Sequence, residues 1–105
     1  MTKSQEAKQL SAQAGRLVDR LMNMASQGKS YTTRLPFWVE LCEITAQFCE
    51  IAGDLDTAND FEVMAQLVAR LDNPIDFAFA WKRFWLRWNA LYEDKTSIFS
   101  SPLLA

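Results

Sequence analysis

The chain has 105 residues, half of them hydrophobic, with three Gly, three Pro and a formal net charge of −2. A chain of this length forms one domain and can bury about two thirds of its unfolded surface in one core, so no second domain is expected. Its composition is that of a globular protein and not of a disordered one. Abundant helix formers and few β-branched residues predict an all-α fold. Because the N-terminus is polar and no apolar run approaches ~20 residues, we expect no signal peptide, no transmembrane segment and a cytoplasmic location.

Charge is distributed unevenly along the sequence. Residues 1–34, 35–76 and 77–105 carry net charges of +4, −8 and +2. Two interpretations are open, because such blocks attract neighbouring helices of one bundle and also form surfaces for partners. The basic residues are not concentrated as they are in proteins that bind duplex nucleic acid, so no such partner is expected.

The first two predicted helices cover residues 4–26 and 36–52. In each, apolar side chains recur at intervals of four and three positions, the spacing of one helical face. Thr2 or Ser4 is expected to cap the first helix. Pro36 is expected to begin the second helix, because proline suits the first helical turn, and the residues before it resemble a loop.

The other two predicted helices cover residues 56–71 and 74–94. Gly53 is expected to end the preceding helix, because glycine favours the left-handed conformation found at helix C-termini. Asp54 or Asp56 is then expected to cap the third helix, since a carboxylate accepts hydrogen bonds from the first free backbone N–H groups.

The fourth predicted helix carries seven large apolar side chains within an arc of about 120°. They are Phe77, Trp81, Phe84, Trp85, Trp88, Leu91 and Tyr92. Aromatic side chains bury about 150 to 250 Å² each, so we expect this arc to face the core. The whole pattern predicts a compact bundle of about four helices over residues 1–94. Residues 95–105 are expected to form a tail that is flexible or folded back.

Two apolar side chains of the fourth helix, Phe79 and Leu86, are predicted to lie on its far side beside Lys82, Arg83 and Arg87. Single exposed hydrophobic residues are common, so an ordinary solvent-facing surface is one interpretation. The other is a partner-binding patch of these five residues, since an apolar centre with basic edges suits an apolar surface or a partner helix. Apolar residues of the tail are a further candidate to cover the patch.

Catalytic chemistry is not predicted. The chain has no histidine, the commonest general base and metal ligand. Cys42 and Cys49 lie about 10.5 Å apart along one helix, beyond disulfide reach and too few for a zinc site. The three glycines form no phosphate-binding loop. We therefore expect neither an enzyme nor a cofactor.

Residues 60–95, "DFEVMAQLVARLDNPIDFAFAWKRFWLRWNALYEDK", resemble the phasin family, helical proteins that coat polyhydroxyalkanoate storage granules in bacteria. The similar features are a helix that ends at a short break, Asp72 to Pro74, and a following amphipathic helix that carries Phe84 and Trp88. The resemblance implies a non-catalytic role at an apolar granule surface and self-association.

Two functions are therefore expected as alternatives. The first is a non-enzymatic interaction protein that binds a protein partner or an apolar granule surface through the patch on the fourth helix. The second is a small acidic adaptor or inhibitor, of a phage or regulatory type, that binds a basic partner through residues 35–76. Wide apolar arcs leave surplus surface for self-association, so a homodimer is expected.

Overall fold

Residues 2–93 are described by a computed structural model and contain four α-helices. These are α1 (Lys3–Ser26), α2 (Tyr31–Ala52), α3 (Leu55–Ala69) and α4 (Pro74–Glu93). The described part of the chain contains no strand. The predicted all-α bundle of about four helices is confirmed.

Local hydrogen bonds fix both ends of α1. The Thr2 hydroxyl accepts a hydrogen bond from the Gln5 backbone N–H at 3.1 Å, and the Gln5 side chain accepts one from the Thr2 N–H at 3.0 Å. This reciprocal capping box satisfies two donors that the helix leaves free, so Thr2 is the cap. At the other end Gly28 has a φ of 68°, and the Lys29 N–H bonds the Met24 carbonyl at 3.0 Å, as in a Schellman motif.

The predicted start of α2 at Pro36 is wrong, because the helix begins five residues earlier, at Tyr31. Pro36 lies inside the helix and removes one N–H donor from its first turns. Contacts with distant residues hold this extra turn in place. The Tyr31 hydroxyl donates to the Asp72 carbonyl at 2.9 Å, and its ring packs 5.6 Å from the Phe77 ring. Tertiary contacts therefore outweigh the local preference of proline for the first turn.

The two remaining helix starts follow local rules. Gly53 ends α2 with a φ of 86°, and Asp54 caps α3 by accepting bonds from the Thr57 N–H and hydroxyl at 3.2 and 2.7 Å. Asn73 caps α4 by accepting a bond from the Asp76 N–H at 2.8 Å. The predictions for Gly53 and Asp54 are confirmed, whereas α3 ends two residues before the predicted position.

Aromatic rings join α4 to α2 and α3. Trp38 of α2 is fully buried and lies edge-on to Phe77, Trp81 and Phe84, with ring centroids 5.1 to 5.5 Å apart. The Phe84 ring also meets Phe61 of α3 at 6.1 Å. Edge-to-face pairs of this kind place the positive edge of one ring on the negative face of another. The core is thus built around Trp38.

The predicted inward arc of α4 is confirmed for its innermost members. Phe77, Phe84 and Trp88 are buried, and Trp81 and Trp85 are partly exposed. The side chains of residues 91 and 92 lie outside the described part of the structure. By helical geometry both partly exposed indoles lie toward the same edge of the arc, on the side of Trp88 away from Phe84.

Candidate partner-binding site

Three apolar side chains form an exposed line along the outer side of α4. Ile75, Phe79 and Leu86 are 69%, 70% and 66% exposed. Their spacings of four and seven positions place them on one helical face, and we call this set the outer stripe. The exposure predicted for Phe79 and Leu86 is confirmed. Ile75 was missed, although its distance of four positions from Phe79 was a usable signal.

A groove of about 400 Å³ separates α3 from α4, and we call it the α3/α4 groove. Apolar side chains of both helices line it, among them Val63 and Leu67 of α3 and Ala80 of α4. Val63 and Leu67 are 45% and 59% exposed. The predicted patch contains no residue of α3, so the contribution of this helix to the surface was missed.

The structure separates the five residues of the predicted patch into two adjoining groups. Arg83 and Arg87 line the α3/α4 groove, whereas Phe79, Lys82 and Leu86 lie outside it and are exposed. At 100° per residue, Arg83 lies about 40° from both Phe79 and Arg87 around the helix. The groove and the outer stripe therefore meet along Arg83 and form one surface.

Basic groups on this surface have little internal compensation. Arg87 donates to the Asp60 carboxylate at 3.0 Å, but both side chains are about half exposed, so water and salt weaken the pair to ~0 to 1 kcal/mol. Lys82 and Arg83 form no ion pair with any side chain of residues 2–90. Carboxylates of a bound partner would therefore meet cations that are free or only weakly held.

The acidic block of residues 35–76 is partly used inside the fold. Asp54 caps α3, Asp60 pairs with Arg87, and Asp76 accepts a hydrogen bond from Asn73. Two other acids, Glu43 and Glu62, line a shallow depression between α2 and α3. The acidic adaptor that binds through residues 35–76 stays a prediction.

The two cysteines are buried and free, and no disulfide joins them. Burial raises the pKa of each thiol to about 12, with a smaller contribution from Glu43 at Cys42 and from Asp54 at Cys49. A thiol needs to ionise before it attacks an electrophile or binds a metal, so both are unreactive at neutral pH. Residues 2–93 bring together no group of three His, Cys, Asp or Glu side chains able to hold a metal ion.

No protein-family model, no curated protein and no solved structure matches the chain. The phasin resemblance, the homodimer and the cytoplasmic location therefore stay predictions. Within residues 2–93, every helix is too short or too polar to cross a bilayer. The predicted tail, 95–105, and its suggested fold over the patch lie outside the described residues.

Proposed function

We propose that this chain is a non-enzymatic interaction protein that binds an amphipathic, acidic helix of a protein partner. The partner helix lies in the α3/α4 groove and against the outer stripe. The observation that carries this proposal is the contact, along Arg83, of an open apolar groove with a second exposed apolar line.

Clustering of apolar side chains supports the proposal. Isolated exposed hydrophobic residues are ordinary, whereas contiguous ones mark interaction sites. Seven large hydrophobic side chains are exposed among residues 2–90, and five of them belong to the groove or to the outer stripe. The five are Val63, Leu67, Ile75, Phe79 and Leu86. From Ala80 to Arg87 the groove runs about 10.5 Å along α4. This length accommodates two turns of a partner helix whose apolar side chains at i, i+3, i+4 and i+7 enter the groove.

Charge complementarity identifies the polar side of the partner. Arg83 has no carboxylate partner in the described part of the chain, and the pair between Arg87 and Asp60 is exposed. Glutamate or aspartate beside the apolar face of the partner helix would pair with both arginines. A lysine-rich helix would be repelled by the same residues, so charge distinguishes the proposed partner from an equally apolar basic one.

Two synthetic helical peptides test the proposal. Both are about 18 residues long, roughly five helical turns, with leucine at i, i+3, i+4 and i+7. One has glutamate on each side of the leucine face, and the other has lysine there. Fluorescence anisotropy is expected to show that the glutamate peptide binds at least about tenfold more tightly, because only its charges complement the two arginines.

Variants locate the binding site on the protein. Leu67→Asp places a carboxylate in the groove, and the pair Phe79→Ser and Leu86→Ser removes two apolar side chains from the outer stripe. Both variants are expected to weaken the glutamate peptide at least about tenfold. Leu55→Ser is the matched control, because Leu55 is 65% exposed and does not line the groove. Equal affinity for the two peptides, or an equal loss in the control, would contradict the proposal.

A phasin-like coat on an apolar granule is the second candidate, and the outer stripe favours it. The three side chains of the outer stripe would contact a flat apolar surface without the groove. The long side chain of Lys82 would keep its ammonium group in water at the edge of that contact. Co-sedimentation with polyhydroxybutyrate particles tests this function. The variant with Phe79→Ser and Leu86→Ser is expected to stay in solution, whereas Leu67→Asp should still sediment because a flat surface does not enter the groove. The reverse pattern would exclude coating.

A further inference from the structure

A second cleft lies where the start of α2 meets the start of α4. Its volume is about 400 Å³, and it is separate from the α3/α4 groove. Lys29, Tyr31 and Arg34 line one side, and Phe77 and Trp81 of α4 line the other. We call it the Arg34 cleft. Its volume is in the lower part of the range found for small-molecule sites, about 300 to 1,000 Å³.

Arg34 lies against two aromatic rings of α4. Its guanidinium carbon is 4.6 Å from the Phe77 ring centroid and 5.1 Å from that of Trp81. The Nε atom is shielded from solvent and has no hydrogen-bond partner among residues 2–93, and no carboxylate there pairs with the side chain. Burial also lowers the pKa of Arg34 from its ordinary value. The cation is partly desolvated and compensated only by the two rings.

The surroundings of the cleft add positive charge. Lys29 supplies a second cation, and no acidic side chain lines the cleft. Two carboxylates lie nearby without lining the cleft, Asp72 in the connection between α3 and α4 and Asp76 in the first turn of α4, and both accept hydrogen bonds from the Asn73 side chain. Ser30 precedes α2 without capping it, so first-turn N–H groups of this helix add partial positive charge.

We propose that the Arg34 cleft binds the phosphate group of a small phosphorylated ligand, a phosphomonoester. A guanidinium presents two parallel donors to phosphate oxygens, and the nearby lysine adds a point charge. The partly exposed Trp81 ring suits the apolar part of such a ligand. The site is not a nucleoside triphosphate loop, because Asn23 stands where that loop has its first glycine and a helix, not a strand, precedes it. This inference does not depend on the proposed partner helix.

An NMR titration with inorganic phosphate tests the proposal, with sodium chloride at equal ionic strength as the reference. Saturable shifts are expected at the Trp81 indole and at Lys29 and Arg34. Arg34→Gln should weaken phosphate at least about tenfold, because it removes both charge-assisted donors. Lys29→Gln should weaken it about threefold. Lys8→Gln, which changes an equally exposed lysine on α1, should have no effect.

Several results would overturn the assignment. Shifts that chloride reproduces would show a general effect of ionic strength, and equal weakening in Lys8→Gln would show unspecific attraction. Acetate that binds as tightly as phosphate would identify a carboxylate site instead. Because Arg34 packs on two rings, Arg34→Gln is checked by circular dichroism; the exposed Lys29→Gln variant tests the site even where Arg34→Gln fails to fold.

Discussion

Phe79 and Phe84 provide a matched pair of substitutions, because one residue type lies on opposite sides of α4. Phe84 is fully buried, and its ring meets Trp38, Phe61 and Trp85 at 5.5, 6.1 and 4.9 Å. Phe79 is 70% exposed. Replacing each by alanine deletes the same atoms, so the difference in stability measures the position and not the chemistry of the side chain.

The expected losses differ several-fold. Phe84→Ala leaves a cavity in the core and removes the ring contacts, so it should lower the free energy of unfolding by about 3 to 5 kcal/mol. That is a large part of the ~5 to 15 kcal/mol typical of a native domain. Phe79→Ala should change the free energy by less than about 0.5 kcal/mol, since the side chain is exposed and alanine is the better helix former.

Urea unfolding, followed by circular dichroism, gives both values. The slope of the free energy against urea should be the same in both variants, because each unfolds from the same bundle. Losses within about 1 kcal/mol of one another would refute the assignment of an inner and an outer side to α4, and with it the outer stripe.

Two further predictions concern the glycines and the thiols. Gly53→Ala should destabilise the protein by about 1 to 2 kcal/mol, because a left-handed φ of 86° strains an L-residue. Gly15→Ala should stabilise it by up to about 1 kcal/mol, because the new methyl group meets open space and alanine is the better helix former. Urea midpoints that move in the same direction in both variants would contradict this. Cys42 and Cys49 should resist a disulfide reagent until the protein unfolds, and rapid labelling of the native protein would exclude their burial. Since the folded pKa of both thiols is about 12, above the ordinary 9.0, their contribution to stability is intact below pH 9.0 and lost as the pH rises towards 12. When both cysteines are replaced by alanine, the free energy of unfolding should fall less between pH 9.0 and pH 12 than it does in the unmodified protein.

Local patterns in the sequence predicted the helix ends that local hydrogen bonds control. Thr2, Gly53 and Asp54 act within three or four residues of themselves, so their roles follow from short-range chemistry. The start of α2 depends instead on the contacts of Tyr31 with Phe77 and with the connection before α4. Helical periodicity carries no information on such distant contacts, and the sequence therefore placed the start at the proline.

Helical periodicity predicts the exposed side chains of the candidate site, but not the groove between them. The period of the helix fixes Phe79 and Leu86 opposite the aromatic arc, and their exposure follows. The groove has a different origin, because its width depends on how the large rings of α4 pack against Trp38. The exposure of Val63 and Leu67 follows instead from the period of α3, because they lie about 200° and 240° around the helix from the buried Phe61, and this signal was not used.

The four tryptophans of the chain form one continuous series of ring contacts, from Trp38 through Trp81 and Trp85 to Trp88. The fluorescence of all four tryptophans therefore reports on the packing of α4 against α2. Emission would register undocking of that helix, whereas far-ultraviolet dichroism would register loss of helix anywhere in the bundle, α1 included. Coincident transitions in the two signals would mean that the bundle melts as one cooperative unit.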